Sequence, residues 1–181
     1  MEELSQTELA RVVAGFPREL GSQLGAWHVA DLGRSLSDSA IEPVHVCGEE
    51  VRIPYGVDFG APFWDDSREP LETAMIHCVY TRHHDGYVRE AHVAEVLRSP
   101  SPWAVPYLVR LLGAPVAEIT ERIESGMTDA WANEFRAFAQ HNGDFMRLTR
   151  ARACSYGSFY RHRFRHADDY PALRVLNALK I

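Results

Sequence analysis

The sequence contains few cysteines and no cysteine pair. Its three cysteines, Cys47, Cys78 and Cys154, lie far apart in a chain of 181 residues. An odd number of cysteines without a C-x-x-C pair argues against a disulfide scaffold and against a zinc site built from thiolates. We therefore expect three reduced thiols.

Long apolar segments are also missing. No apolar run approaches the roughly 20 residues that cross a bilayer. The first five residues have neither the basic region nor the apolar region of a signal peptide. We therefore expect a cytoplasmic protein that makes no contact with a membrane.

Three widespread active-site motifs are absent as well. The chain contains no G-x-S-x-G, no G-x-x-x-x-G-K-[ST] and no G-x-G-x-x-G, the motifs of a hydrolase nucleophile, a P-loop and a dinucleotide site. We predict no catalytic residue and no cofactor from motifs. A catalytic site assembled from dispersed residues is still compatible with this sequence.

The composition is that of one globular domain that spans residues 1–181. Hydrophobic residues make up 46% and charged residues 24% of the chain, which is close to the average of folded proteins. The net charge of -6 is unevenly distributed, because residues 1–127 contain 20 acids and 10 arginines, whereas residues 128–181 contain five acids and nine basic residues. Lys180 is the only lysine beside 18 arginines, a bias that the codon usage of a high-GC genome produces as easily as selection for arginine contacts.

The N-terminal segment has the pattern of two helices. Ser5 and Glu8 have the spacing of a capping box, and apolar residues follow at helical spacing until Pro17 interrupts them. A second apolar stripe from Leu20 to Leu32 predicts another helix.

A change of period near residue 44 predicts a β-hairpin over residues 44–55, which must pack against helices because an isolated hairpin is only marginally stable. The connection that follows, as far as residue 69, contains the aromatic pair Phe63 and Trp64, which we expect to anchor it. Asp65 and Asp66 in this connection are either metal ligands or, more commonly for such a pair, solvated loop residues.

From Pro70 onward, proline and glycine residues separate amphipathic stripes, which predicts a series of helices. Helix pairs that begin near Leu71, Trp103 and Trp131 recur at spacings of 32 and 28 residues, within the range of stacked helical repeats. The predicted core positions of the middle pair are Val105, Leu108, Leu112, Ile119 and Ile123. The last two predicted helices cover residues 145–166 and 171–179.

This part of the chain resembles HEAT-like repeats. Residues 85–91 have the sequence DGYVREA, which is similar to the D-x-x-V-R-x-A start of the second helix in such a repeat, and residues 103–112 have the sequence WAVPYLVRLL, which is similar to the first helix of the next. The resemblance implies that Asp85 caps its helix, that Val88 packs inward and that the small Ala91 lets helices approach. It implies a mainly α fold, a short HEAT-like stack of antiparallel helix pairs with a small β-hairpin near residues 44–55. The alternative is a compact bundle of ordinary helix hairpins.

HEAT-like proteins are mostly interaction scaffolds. Two families among them are enzymes, and their characteristic residue patterns can be compared with this sequence. The deoxyhypusine hydroxylases bind iron through His-Glu dipeptides, and no histidine here precedes a glutamate. The alkylpurine DNA glycosylases use a basic groove with aromatic residues, and the segment 145–166 contains those residue types without a diagnostic motif.

Residues 145–167 contain six arginines, five phenylalanine and tyrosine residues and no acid, as contact with phosphates and stacked bases requires. The candidate binding residues are Arg147, Arg150, Arg161, Arg165, Tyr156 and Tyr160. Within one predicted helix, Arg147 and Arg150 share a face, as do Arg161 and Arg165. The alternative is that the arginines pair with the acidic first part of the chain while the aromatic rings fill the core, and we favour this alternative because the whole chain is acidic.

Two histidine clusters are candidate metal sites. His162 and His166 are four residues apart, with Asp169 three residues further on. The neighbouring arginines would repel a cation, and no glutamate follows His162 to complete an H-E-x-x-H motif. The second cluster consists of His77, His83, His84 and Asp85, where we expect His83 and His84 to end a helix and to interact with its dipole. We predict no metal at either cluster.

We therefore expect a non-enzymatic protein that binds another macromolecule, with a protein as the partner. The alternative function is nucleic-acid binding or processing through the segment 145–166. The oligomeric state does not follow from the sequence.

Overall fold

The computed structural model describes residues 2–3, 5–24, 28–29, 43–58, 60 and 69–181. Most of these residues are helical, as the sequence predicts. The helices are α1 (Gln6–Val13), α2 (Arg18–Gly21), α3 (Pro70–Tyr80), α4 (Gly86–Val96), α5 (Val105–Leu112), α6 (Ala117–Ser125), α7 (Asp129–His141), α8 (Gly143–Phe159) and α9 (Pro171–Leu179). The strands are β1 (Glu2–Glu3), β2 (His28–Val29), β3 (Pro43–Val46) and β4 (Glu49–Arg52), paired as β1–β2 and β3–β4, both antiparallel.

The first helix begins as its capping box predicts. The Ser5 hydroxyl accepts the backbone N–H of Glu8 at 3.3 Å, and the Glu8 carboxylate accepts the backbone N–H of Ser5 at 3.0 Å. The two bonds satisfy donors that the start of a helix leaves unpaired.

The predicted second helix is wrong over most of the part that the structure describes. α2 is a single turn, and His28 and Val29 form a strand that pairs with Glu3 and Glu2. Glycine interrupts the stripe at Gly21, where a Cβ would approach the Val13 side chain to 2.8 Å. Leu32 lies outside the described residues, as do Phe63, Trp64, Asp65 and Asp66.

The predicted hairpin is confirmed. Val44 pairs with Val51, and both are buried. The chain reverses at Cys47 and Gly48, which have φ values of 52° and 80°, the pair of positive values that a tight two-residue hairpin turn requires.

The hairpin is held by the junction of α7 and α8. The Asn142 side chain accepts the backbone N–H of His45 at 2.7 Å and donates to the His45 carbonyl at 2.9 Å. Asn142 is buried and also donates to the carbonyl of Phe138 at 2.9 Å. Its amide thus ties the strand pair to the helices, as the marginal stability of a lone hairpin demands.

The predicted cap of α4 is confirmed, because the Asp85 carboxylate accepts the N–H of Tyr87 at 2.8 Å. Val88 is half-buried, whereas Ala91 is exposed. The prediction that Ala91 allows a close approach of helices is therefore wrong.

The predicted helix over residues 145–166 ends early, because α8 stops at Phe159. After this point Tyr160 stacks on Tyr170 with ring centroids 5.8 Å apart, and its hydroxyl donates to the carbonyl of Pro115 at 2.8 Å. A Cβ on Gly157 would lie 3.1 Å from the carbonyl oxygen of Ala167, so the returning chain packs directly on the helix backbone. These tertiary contacts compete with the local helical pattern and end the helix.

The C-terminal helices form the main packing of the molecule. α4 contacts α3 and α6, and α6 contacts α9. α8 contacts both α5 and α9. α7 packs against α5, α8 and α9. The predicted core positions are confirmed as fully buried: Val105, Leu108, Leu112, Ile119 and Ile123.

None of the helices in the described part of the chain has both the length and the apolar character that spanning a bilayer requires.

Candidate anion-binding site

A cavity of about 500 Å³ lies where four parts of the chain meet. It is bounded by residues 55–58 after the hairpin, by the turn between α3 and α4 with the first part of α4, by the end of α5 with the residues after it, and by α8. The charged and titratable residues of its described lining are Arg82, Arg89, Arg110, Arg152, Asp58, His83, His84, Tyr55 and Tyr156. Four guanidinium groups and one carboxylate therefore share this cavity.

Two backbone hydrogen bonds bring residues 55–58 against the turn after α3. Val57 donates its N–H to the carbonyl of Arg82 at 2.9 Å, and His84 donates its N–H to the carbonyl of Val57 at 3.0 Å. Since Val57 is itself buried, the bridge fixes the neighbouring Asp58 beside His84 at the rim of the cavity.

The Arg82 side chain is held by main-chain oxygens. Its Nε donates to the carbonyl of Pro54 at 3.2 Å, and one terminal nitrogen donates to the carbonyl of Tyr55 at 2.6 Å. Burial, together with the nearby charge of Arg89, lowers the pKa of Arg82 to about 10. The group is therefore still a cation at neutral pH, in surroundings that disfavour its charge.

Arg89 is held in the same manner from α4. One terminal nitrogen donates to the carbonyls of His83 and His84 at 2.7 and 2.8 Å. Its Nε is buried and has no hydrogen-bond partner among the described residues. Burial lowers the pKa of Arg89, a shift that the charge of Asp85 opposes. Within the described residues, neither Arg82 nor Arg89 forms an ion pair with a carboxylate.

The other two arginines approach from the helices opposite. Arg110 comes from the last turn of α5 and places its guanidinium carbon 5.4 Å from the centre of the Tyr55 ring, in a cation–π contact. Arg152 comes from α8, next to Gly113 at the end of α5. The positive charge of the cavity thus comes from separate elements.

The rim of the cavity carries an aspartate–histidine pair. Nδ1 of His84 lies 2.6 Å from Oδ1 of Asp58. The His84 ring contacts the His83 ring at a centroid distance of 4.3 Å, and His83 stacks in turn on Tyr80 at 6.0 Å. Nδ1 of His83 accepts the backbone N–H of Asp85 at 3.0 Å.

Asp58, His83 and His84 each offer one possible ligand atom to a metal, and these atoms lie within 4.8 Å of one another. In a neutral His83 ring the proton is on Nε2, because Nδ1 accepts a hydrogen bond from the backbone. Coordination would require that proton to leave and would place a cation beside Arg82 and Arg89. The hydrogen-bond donors of the cavity and its positive charge therefore favour an anion over a metal ion.

The predicted role of His83 and His84 at the end of a helix does not match their position. α3 ends at Tyr80 with Thr81 as its cap, so both histidines lie in the turn that follows. His83 is buried and His84 is exposed there.

The structure does not bring the six binding residues that the sequence suggests together at one cavity. Arg147 pairs with Asp144 at 2.8 Å, and Arg150 donates to the Asn177 side chain at 2.9 Å and to the carbonyl of Ile181. Of the six, Tyr156 lines the arginine cavity.

The predicted common helical face of Arg161 and Arg165 is wrong, because α8 ends before both residues. Arg161 donates to the carbonyl of Ser158 at 3.0 Å, and Arg165 is exposed. Tyr160 packs inward on Tyr170, as described above.

The same early end of α8 separates the first pair of candidate metal ligands. His162 lies in a short 3₁₀ helix over Tyr160–His162, and His166 precedes another over Ala167–Asp169. The Asp169 carboxylate accepts the backbone N–H of His166 at 3.0 Å. Within the described residues, these three side chains are not among the groups whose ligand atoms converge as a metal site requires.

Arginines of the C-terminal part pair with the acidic face of α6. Arg163 bonds to Glu118 and Glu121, and Arg174 bonds to Glu124. The hydrogen bond from Arg163 lowers the pKa of Glu118. Exposed pairs of this kind each contribute only about 0.2 to 1 kcal/mol.

A second histidine pair lies between α3 and α4. The Nδ1 atoms of His77 and His92 are 2.8 Å apart, and the His92 ring also stacks on Tyr80 at 4.8 Å. Burial, followed by the proximity of His77 and His83, lowers the pKa of His92 to about 4, and burial also lowers the pKa of His77. Because the pKa values of both rings are lowered, the pair is neutral at neutral pH, where one Nδ1 can donate to the other.

This pair predicts an acid-dependent loss of stability. Because the pKa of His92 in the folded state is about 4, below the unfolded value of 6.5, the unfolded state binds more protons between these values, and stability falls as the pH decreases through this window. Between about pH 7 and about pH 5 we expect wild type to lose about 1 kcal/mol more than His92→Gln, a figure reduced because the ring is only half-buried. Urea unfolding at both pH values measures this, with the exposed His141→Gln as the control. Equal losses in wild type and His92→Gln would contradict the prediction.

The sequence contains only a partial signal for the arginine cavity. Residues 81–86 have the sequence TRHHDG, in which two adjacent histidines follow Arg82, and Arg89 lies three residues after this segment. Arg110 and Arg152 lie far away in sequence and look like ordinary helix-surface residues. Their convergence depends on the packing of α5 against α8, which no short motif encodes.

Comparison with known proteins gives no further indication of function: the chain matches no protein-family model, no curated protein and no solved structure at a significant level.

Proposed function

We propose that the protein binds a small ligand with a phosphate group in the arginine-lined cavity. The observation that carries this proposal is the surroundings of the Arg82 and Arg89 side chains. Both are partly buried cations that line one cavity, both are held by main-chain carbonyls, and neither forms an ion pair with a carboxylate in the described part of the chain. An anion in the cavity would supply a counter-charge to both side chains.

The energetics of burial support an anionic ligand. Removing a guanidinium group from water is costly unless its charge and its donors are matched. The carbonyls accept from some of the guanidinium donors, while Nε of Arg89 is buried without a partner in the described part of the chain. A charge-assisted hydrogen bond to an anion contributes about 1.5 to 3 kcal/mol. Such bonds would offset the cost of burying the two guanidinium groups and would stabilise the complex with the ligand.

The size and the charge of the cavity favour a phosphate on a small molecule. A volume of about 500 Å³ falls within the range of small-molecule sites. A phosphate presents several oxygens and up to two negative charges to several guanidinium groups, whereas a carboxylate presents two oxygens and one charge.

Thermal unfolding in the presence of added anions tests the proposal. At a phosphate concentration about 100 times the Kd, the folded state gains about 2.7 kcal/mol, which corresponds to a rise in Tm of about 5 to 10 °C for a chain of this size. The titration uses inorganic phosphate and pyrophosphate, with citrate as the carboxylate probe and sodium chloride at matched ionic strength as the control. Arg89→Gln and Arg110→Gln should each reduce the affinity at least about tenfold, whereas Arg136→Gln, on the exposed face of α7, should not.

A phosphate effect no larger than that of chloride would contradict the proposal, and a citrate effect alone would change the ligand class. Arg89→Gln also removes bonds to two carbonyls, so its circular dichroism spectrum must match that of wild type. Arg110→Gln provides the independent variant, because the position of Arg110 over Tyr55 does not depend on those carbonyls.

We also propose that the helix pairs form a HEAT-like stack that binds a protein partner. The contacts of α4 with α6 and of α6 with α9, and those of α5 with α8, are compatible with two layers of stacked helices. Two large aromatic side chains, Tyr87 and Phe159, are 85% and 71% exposed, and exposed aromatic residues are enriched in protein interfaces.

Nucleic-acid binding is the alternative for the basic segment. The ion pairs of Arg147 and Arg163 with nearby acids compete with phosphate contacts. A further arm of the same titration therefore uses a single-stranded oligonucleotide at two salt concentrations. Binding that weakens steeply with salt would favour this alternative.

A further inference from the structure

We propose that His84, oriented by Asp58, is a proton-transfer catalyst that hydrolyses a phosphate ester held by the cavity arginines. This inference rests on the proposed function, since it requires a phosphate group in the cavity. The Asp58–His84 pair lines the same cavity as Arg82 and Arg89.

The local backbone fixes the pair independently of any ligand. The bonds between Val57, Arg82 and His84 place Asp58 and His84 on two segments that are joined side by side. Arg89 donates to the carbonyl of His84. The arginine that would hold the phosphate thus also ties down the residue that carries the imidazole.

The pair has the arrangement of a general base and the carboxylate that orients it. With Oδ1 of Asp58 at 2.6 Å from Nδ1 of His84, the neutral ring carries its proton on Nδ1 and keeps the lone pair of Nε2 for a proton from another molecule. The carboxylate also stabilises the imidazolium that forms when Nε2 takes up that proton. The His84 side chain is 63% exposed, so water reaches it.

Arg82 and Arg89 would supply the remaining chemistry. Charge on the phosphoryl oxygens must be stabilised throughout the transfer, and guanidinium groups that are held in place before the reaction do so at little cost in reorganisation. The main-chain carbonyls that hold these two side chains provide that rigidity.

The reaction is a hydrolysis with water as its only co-reactant. His84 Nε2 accepts a proton from a water molecule, the water oxygen forms a bond to phosphorus, and the bond from phosphorus to the ester oxygen breaks. The imidazolium then returns its proton to the leaving ester oxygen. The products are an alcohol and inorganic phosphate, and no oxidation or reduction occurs.

Release of inorganic phosphate measures this activity. The substrates are phenyl phosphate, p-nitrophenyl phosphate, nucleoside monophosphates and sugar phosphates. His84→Gln should lower kcat by about 10²- to 10⁴-fold, the usual contribution of acid–base catalysis, and phenyl phosphate should lose more than p-nitrophenyl phosphate because its leaving group depends more on a proton. The phosphate-induced rise in Tm should persist in this variant, and His141→Gln should retain full activity.

Asp58→Asn separates a positioning role from a structural one. If Asp58 orients the imidazole, kcat should fall while KM stays nearly constant, and the pH dependence of kcat should change because the imidazolium has lost its carboxylate. Asp58→Glu should restore part of the rate.

Three results would overturn the proposed catalytic role of the Asp58–His84 pair. The first is phosphate binding without release of phosphate from any of these substrates. The second is unchanged turnover in His84→Gln, and the third is an Asp58→Asn variant that alters neither kcat nor its pH profile. Each of these leaves the anion-binding function intact, whereas absence of phosphate-dependent stabilisation in wild type would refute that function itself.

Discussion

Trp131→Ala is expected to lower the free energy of unfolding by about 3 to 5 kcal/mol, the usual cost of truncating a buried tryptophan. The indole is fully buried, and its Nε1 donates to the carbonyl of Leu97 at 2.9 Å. It also packs edge-on against Phe135 at 6.3 Å. The substitution therefore removes a large apolar contact and leaves the carbonyl at the end of α4 without its donor.

Denaturant unfolding followed by far-UV circular dichroism measures this loss, because the tryptophan signal itself changes with the substitution. Trp131→Phe retains much of the apolar contact but loses the donor, so we expect an intermediate loss of about 1 to 3 kcal/mol. The exposed Tyr87→Ala is the matched aromatic control and should stay within about 0.5 kcal/mol of wild type. A Trp131→Ala variant as stable as this control would mean that α4 and α7 do not meet through this side chain.

The helices with strong terminal signals were predictable from the sequence. Ser5 with Glu8 and Asp85 each cap a helix through hydrogen bonds to the backbone of its first turn, as predicted. α9 begins at Pro171 and ends at Leu179, as predicted. Caps and periodicity act within one or two turns, so a single sequence contains the information that defines them.

The boundaries that failed depend on distant contacts. The extent of α8 is set by Tyr160 and Gly157, which meet Tyr170, Pro115 and the chain near Ala167. The strand at His28 and Val29 depends on pairing with the first residues of the chain. Neither contact leaves a local pattern, and tertiary contacts override weak propensity in both cases.

The candidate site was missed for the same reason. The sequence indicates the basic segment after Phe145 because its arginines are close together along the chain. The cavity arginines come from separate elements: Arg82, Arg89, Arg110 and Arg152. Arg89 belongs to the repeat-like sequence of residues 85–91. In the structure Arg89 lies at the cavity, with one nitrogen bonded to the turn and Nε buried without a partner. A residue that matches a structural motif can also be part of a binding site.

The turn after α3 connects the proposed binding and catalytic roles. The carbonyl of Arg82 accepts a hydrogen bond from the N–H of Val57. The carbonyls of His83 and His84 accept hydrogen bonds from a terminal nitrogen of Arg89. A phosphate that binds Arg89 would therefore also affect the backbone segment that contains His84. If the proposed ligand binds there, its binding and the orientation of the imidazole would be linked through this short stretch of backbone.

Leu108→Ala is expected to lower the free energy of unfolding by about 2 to 5 kcal/mol. Leu108 lies in the middle of α5 and is fully buried. α5 contacts α6, α7 and α8, so little solvent is available to fill the space that the missing atoms leave. Part of the cost is the lost burial of apolar surface, and the rest comes from a cavity that rigid helices on several sides cannot close.

The matched control is Leu148→Ala on α8, where the leucine is 39% exposed and truncation should cost less than about 1 kcal/mol. Urea unfolding of the two variants and wild type measures the difference in stability. If the m values are equal, this difference does not come from a change in the unfolded state. If Leu108→Ala and Leu148→Ala cost the same, α5 does not occupy the centre of the helical packing.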